Sequence, residues 1–232
     1  MPKGNILITG TRKGIGNQLA NYYLKKNYNV IGCSRGDIDF IHDNYFHFNI
    51  DISNEQSVKD MFLRFRKKFK RLDILINNAG VASMNHTLLT PMNKAQKIIN
   101  TNFLGTFIMS RESAKIMKKY SFGRIINITS VGTQMKLEGE AIYTASKSAV
   151  ENFTVVLSRE LADFGITVNG VGPTPIITDL IKSVPKEKIK NILSQLAFNR
   201  FTEITDITNV IDFFISEQSS YITGQVIYLG GG

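Results

Sequence analysis

The sequence predicts an α/β fold, one parallel sheet with helices on both faces, and three observations predict it. Apolar, β-branched runs alternate with amphipathic stretches along the whole chain, the signature of repeated strand–helix–strand units. A glycine-rich turn, TGTRKGIG at 9–16, separates the first apolar run from the first amphipathic stretch. No linker, repeat or low-complexity segment interrupts the 232 residues, so a single domain over 1–232 is expected.

The strands read in order as NILIT (5–9), NVIGCS (29–34), YFHFNI (45–50), LDILIN (72–77), RIINIT (124–129), ITVNGV (166–171) and QVIYL (225–229). Helices are expected over 15–27, 54–70, 93–119, 142–164 and 205–216, with Gly165 stopping the fourth. Between the second and third strands lie only the ten residues RGDIDFIHDN. A parallel crossover needs about a dozen, which leaves room for one helical turn at most. The proline-bearing stretch 173–198 has thin periodicity and reads as a helical excursion, with a substrate lid at 174–198.

Composition narrows the function. Hydrophobic residues at 43% and charged residues at 20% are ordinary for a soluble domain. No run reaches the roughly 18 apolar residues of a membrane helix. The start, MPKGNILITG, reads as a strand entering a turn rather than a signal peptide, and Cys33 is the single cysteine, so a reducing, cytoplasmic setting is expected. Cys33 reads as a buried strand residue before a nucleophile. The net charge of +9 suits anionic partners, and its densest cluster is RFRKKFKR at 64–71. There Met61, Phe62, Phe65 and Phe69 recur at helical spacing, so the basic residues form an outer, solvated face. Nothing nearby identifies a nucleic-acid module, and neither nucleic acid nor membrane is an expected partner. His42, His47 and His86 look incidental, and no metal site is expected.

A glycine turn between strand and helix lets backbone approach a phosphate closely, while the helix N-terminus supplies free N–H donors. Gly10, Gly14 and Gly16, with Ile15 among them, fit that use. A carboxylate ending the second strand would bond a ribose 2′-hydroxyl. Here that strand ends in Cys33, Ser34 and Arg35, with Arg12 and Lys13 in the glycine turn. Cations there suit a 2′-phosphate, so NADP(H) is favoured over NAD(H).

Tyr143 precedes Lys147 by four positions in AIYTASK, but Tyr22 and Lys26 repeat the interval in NYYLKK. Spacing alone cannot separate them. Context does: TGTRKGIG, NNAG at 77–80, Ser130 thirteen residues before Tyr143, and Tyr143-x-x-x-Lys147 together resemble the short-chain dehydrogenase/reductase family. The resemblance runs from the first strand to ITGQVIYLGG near the end of the chain.

That resemblance implies a doubly wound, Rossmann-like domain of about seven parallel strands. It implies that Asp51 and Ile52 flank the adenine, that Asn78, Ala79 and Gly80 lie under the cofactor, and that Pro173, Ile176 and Thr178 meet its nicotinamide end. Tyr143 and Lys147 would also hold the cofactor. The reaction it implies is reduction of a ketone by hydride transfer. Tyr143 is then the general acid, Ser130 the hydrogen-bond donor to the carbonyl oxygen, and Asn102 the holder of a water that relays protons to Lys147. A unit charge about 4 Å from the tyrosine, at a dielectric near 20, favours the phenolate by roughly 4 kcal/mol, about three pKa units.

Bacterial relatives of this kind commonly reduce 3-oxoacyl thioesters on acyl carrier protein, an acidic partner that a basic surface suits. Lys118, Lys119 and Arg124 are near the site in sequence, although Ser121 and Phe164 stand where further cations would serve docking. A sugar or other polar ketone is the rival substrate, and a non-catalytic dinucleotide sensor the rival class. The family also implies a homotetramer or homodimer through 93–119 and 142–164. The usual proline–glycine after the sixth strand is Pro173–Thr174 here, with a second proline at 175.

Overall fold

In the computed structural model, which describes residues 2–38, 41–177 and 186–231, seven strands pair in parallel in the order β3-β2-β1-β4-β5-β6-β7. They are β1 (Asn5–Thr9), β2 (Asn29–Ser34), β3 (Tyr45–Asn49), β4 (Ile74–Asn77), β5 (Gly123–Ile128), β6 (Ile166–Gly172) and β7 (Val226–Tyr228). Central strands are buried on both faces, which is why they read as unbroken β-branched runs rather than alternating ones. The helices are α1 (Gly14–Lys25), α2 (Glu55–Phe69), α3 (Met92–Ile99), α4 (Gly105–Met117), α5 (Gly132–Met135), α6 (Ala141–Leu161), α7 (Lys186–Ser194) and α8 (Ile204–Ile215).

Two cores sandwich the sheet. On one face, Leu19 and Tyr23 of α1 and Ile207, Ile211 and Phe214 of α8 pack on Ile6, Ile8, Ile76 and Ile126. On the other, Val58, Phe62 and Phe65 of α2, Met109 and Ile116 of α4, and Leu157 of α6 pack on Leu7, Ile31, Leu75 and Ile125. Strand alternation sends Ile6 and Ile8 one way and Leu7 the other. The sheet reverses its order between β1 and β4, and that switch point opens a crevice at the carboxyl ends of the strands.

The expected strands and helices are present, with local differences. Strand β4 starts at Ile74, and the preceding Asp73 carboxylate accepts the Asn5 backbone N–H at 2.8 Å and pairs with Arg71. The expected helix over 93–119 is not continuous: a π-helical turn, Asn100–Leu104, lies between α3 and α4. Such widened turns concentrate at functional sites. Helix α5, four residues long, has no counterpart in the sequence pattern. No helix forms among the described residues of 35–44, as the short crossover requires. The basic cluster is the outer face of α2, with Lys68 over Phe46 and Arg64 over Phe48. Among the described residues, no helix is long and apolar enough to cross a membrane.

Candidate active site

A cavity of about 410 Å³ occupies the crevice at the switch point. Its size is that of a small-molecule site. Gly10, Arg12, Lys13, Gly14, Ile15, Ser34, Arg35, Asp51, Ile52, Asn78, Ala79, Gly80, Ser130, Tyr143, Lys147, Pro173 and Ile176 all line it. Residues distant in the chain, Gly10 and Lys147 among them, therefore meet around one space at the carboxyl ends of the strands.

The glycine turn is built for close approach. Gly10 and Gly14 have φ of +77° and +64°, conformations that side chains resist. A Cβ on Gly16 would collide with the Gly10 carbonyl and the Asn78 side chain, so Gly16 packs the start of α1 against the turn and does not line the cavity. Thr9 Oγ1 accepts the backbone N–H groups of Asn78 and Ala79 at 3.0 and 2.9 Å, fixing NNAG beside the turn. The Lys13 side chain makes no capping bond at the start of α1, which leaves first-turn N–H groups available to an anion. The cradle and the start of α1 fit a dinucleotide pyrophosphate, and Arg12, Lys13 and Arg35 line the same cavity.

At the other end, the Ser130 hydroxyl lies against the Tyr143 phenol and favours its ionised form. Ser130 Oγ also accepts the Gly132 N–H at 3.1 Å, so the first turn of α5 holds the hydroxyl in place. Burial pushes the Tyr143 phenol up to about 12; the Ser130 hydroxyl opposes this and the charge of Glu140 adds to it. Lys147 is buried, and burial lowers its ammonium to about 8 against the opposing pull of Glu151. Its Nζ donates to the Ile128 carbonyl at 2.7 Å. Glu151, one turn further along α6, accepts from Thr133 Oγ1 at 2.7 Å.

This sheet, glycine turn and serine–tyrosine–lysine group coincide with a family match: the short chain dehydrogenase family model fits residues 4–189. The chain belongs to the short-chain dehydrogenase family. It is an oxidoreductase. Similar curated short-chain dehydrogenases include the 3-oxoacyl-acyl-carrier-protein reductase FabG of Buchnera aphidicola, 34% identical over 99% of this chain and 97% of that one. The FabG of Staphylococcus epidermidis is 32% identical over 97% of each. Among solved structures, ElxO with NADP bound has a TM-score of 0.90 at 33% identity, covering 99% of this chain and 98% of its own. A Leptospira borgpetersenii short-chain dehydrogenase with NAD+ bound has a TM-score of 0.91 at 26% identity, covering 100% of this chain and 93% of its own.

Within this short-chain dehydrogenase, several expectations need correction. The Tyr143 phenol is raised, where a fall was expected: burial pushes it up to about 12 and outweighs the opposing Ser130 hydroxyl. The Asn102 side chain does not face the cavity. Its Nδ2 donates to the Val81 carbonyl at 3.0 Å and to Ser146 Oγ at 2.9 Å, and its Oδ1 accepts the Val81 N–H at 2.8 Å. It clamps the loop after NNAG. Arg124 is buried against Phe122 at the amino end of β5, and Lys118 lies over Phe164, so these cations sit at the edge of the sheet opposite the cavity. Thr178 lies outside the described residues.

Other lining residues belong to no motif in the sequence. Val81, Met84, Met135, Leu137, Ile189 and Ile192 give one wall an apolar character. Glu140 also lines the cavity; a Cβ on Gly132 would meet its Oε2 at 3.1 Å and Ser130 Oγ at 3.2 Å. Its position three residues before Tyr143 is the signal that could have found it. Cys33 is buried and its thiol pushed up to about 12 by burial, as suits a packing residue.

Proposed function

We propose that the chain reduces a ketone to a secondary alcohol with NADPH, the favoured substrate being a 3-oxoacyl thioester. The observation that carries the reading is the Ser130–Tyr143 pair at the floor of a cavity whose outer wall is apolar. When bound, the cofactor supplies hydride to the carbonyl carbon. Tyr143 stays protonated at neutral pH and gives its proton to the developing alkoxide, a far stronger base than a phenolate. Ser130, oriented by the Gly132 N–H, hydrogen-bonds the same oxygen and stabilises its charge. Lys147 is close enough to Gly80 to hold the nicotinamide ribose, and its ammonium supports transfer at Tyr143. Asn102 positions the Val81 segment beside it.

The cations Arg12, Lys13 and Arg35 and the absence of a carboxylate ending β2 support NADP(H) over NAD(H). Val81, Met84, Leu137, Ile189 and Ile192 suit an acyl chain, and α7 is the lid. A free thioester and one carried on acyl carrier protein present the same ketone to this site. The named activity of the FabG relatives supports the carried form. Exposed Leu104, Phe107, Val155 and Val156 around α4 and α6 support a homo-oligomer.

One observation favours a second reading. The Glu140 carboxylate beside Ser130 can accept hydrogen bonds from hydroxyls flanking a carbonyl, as in a polyhydroxy ketone. The test is NADPH oxidation by the intact protein with an acetoacetyl thioester, with the same acyl group on acyl carrier protein, and with polyhydroxy ketones. A kcat/KM for either thioester at least about tenfold above that for the sugars is expected. The reverse order transfers the assignment to the polar ketone.

A further inference from the structure

Beneath the cationic end of the cavity runs a chain of polar side chains that the reaction does not use. His47 sits opposite Gly32 in the pairing of β3 with β2. Its Nδ1 lies 2.9 Å from the Tyr45 hydroxyl, which in turn bonds the Thr11 hydroxyl at 2.8 Å. Its Nε2 lies 3.0 Å from Ser34 Oγ and 3.2 Å from the Gly36 carbonyl, and Ser34 Oγ itself donates to that carbonyl at 2.7 Å. A carbonyl only accepts, so Nε2 carries the hydrogen and Nδ1 faces the tyrosine. Tyr45 and His47 stack with their rings 19° from parallel.

The sequence makes room for this chain. A Cβ at Gly32 would collide with both the Tyr45 and Thr11 hydroxyls, so an otherwise apolar strand carries a glycine where the bond passes. The two ends of the chain are the two segments that bear the cations. Thr11 lies in the glycine turn immediately before Arg12 and Lys13; Ser34 and Gly36 flank Arg35. Arg12 also reaches across to the second segment, since a Cβ on Gly36 would lie 3.0 Å from its Nη1. The carbonyl that His47 and Ser34 hold therefore belongs to the backbone on which the Arg12 guanidinium rests.

We infer that His47, acting with Tyr45, is a positioning residue that sets the placement of Arg12 and Arg35 and thereby the preference for a dinucleotide bearing a 2′-phosphate. The inference rests on the NADP(H) reading above. His47 does not touch the ligand: it fixes the Ser34–Gly36 turn from below and couples it through Tyr45 to the glycine turn. Losing the link lets the two cations drift apart. The pyrophosphate cradle, built from backbone and glycines, does not depend on it. The 2′-phosphate contact is the part that suffers.

The experiment is titration of NADPH and of NADH, by nucleotide fluorescence, into intact protein and into His47→Leu, Tyr45→Phe and His47→Gln. Intact protein is expected to bind NADPH more tightly. His47→Leu and Tyr45→Phe should weaken NADPH about tenfold, the effect of disturbing one charge-assisted contact, and NADH less than about twofold. His47→Gln, whose amide can donate to Gly36 and accept from Tyr45, should restore most of the NADPH affinity. Equal weakening of both nucleotides by His47→Leu would reduce the chain to a structural support and overturn the inference. An unchanged ratio in folded His47→Leu and Tyr45→Phe would also overturn it. An intact protein that binds NADH as tightly as NADPH would overturn the cofactor reading itself, and the inference with it.

Discussion

Two tyrosine–lysine pairs of identical spacing meet opposite fates in this fold. Tyr22 and Lys26 lie at α1, and both bond the Asp212 carboxylate of α8, at 2.6 and 2.5 Å. Tyr23 joins them at 3.2 Å, so the cluster clamps two helices at the rim of the sheet. There the Asp212 hydrogen bond raises the Lys26 ammonium. Tyr143 and Lys147 lie on α6 in the cavity wall, and burial lowers the Lys147 ammonium to about 8. One lysine has a carboxylate at hand and a solvent-facing side; the other has a strand carbonyl and a more distant Glu151. Spacing brings a pair together on a helix. Burial and the neighbouring elements set the two pairs apart.

The contrast breaks most sharply at the lysines. Lys147→Met should lower kcat/KM for ketone reduction by about a thousandfold, measured by NADPH oxidation, because it removes a buried charge from the reacting end. Lys26→Met should change it less than about twofold, being far from the cavity. Next in size is Ser130→Ala: it should lower kcat about a hundredfold with little change in nucleotide affinity, the loss of one donor to the developing oxyanion.

A pH profile sharpens the comparison further. In the proposed mechanism the working form of Lys147 is the ammonium, whose pKa is lowered to about 8, while Tyr143, pushed up to about 12, stays protonated. Reduction should therefore be at full rate well below pH 8, fall to about half near pH 8 and decline above it, approaching about tenfold per unit. Glu151→Gln removes the charge that supports the ammonium, so it should shift that decline to lower pH. The smallest effect belongs to the other pair. Asp212→Asn should cost about 1 kcal/mol and lower Tm by about 2–4 °C in thermal unfolding, with turnover unaffected.

Much of this architecture was legible because it rests on local pattern. NILIT, NVIGCS and RIINIT are buried strands whose side chains announce it, and TGTRKGIG names its own turn. The cavity-lining residues of the glycine turn, NNAG, Ser130 and Tyr143 follow from motifs in order. What escapes depends on contacts across the fold. His47 looks like an ordinary alternating strand residue, because its partners are 11 to 13 positions away or reached only through Tyr45. Gly32 looks like a weak point in a strand until the bond passing over it is visible. The π-helical turn at Asn100–Leu104 leaves the apolar periodicity of 93–119 almost undisturbed, so it carries no signal. The ionisation of Tyr143 departs from expectation for the same reason: charge separation can be reckoned from spacing, whereas desolvation needs the packed structure.

The central claim is that the pair on α6 carries the proton transfer and its double on α1 does not. The most direct measurement compares NADPH oxidation, with whichever ketone the intact protein turns over best, in Tyr143→Phe and Tyr22→Phe. Tyr143→Phe should lose about a thousandfold in kcat while still binding NADPH, and Tyr22→Phe should stay within about twofold of the intact protein. Undiminished turnover in a folded Tyr143→Phe, or an equal fall in both variants, would contradict the account.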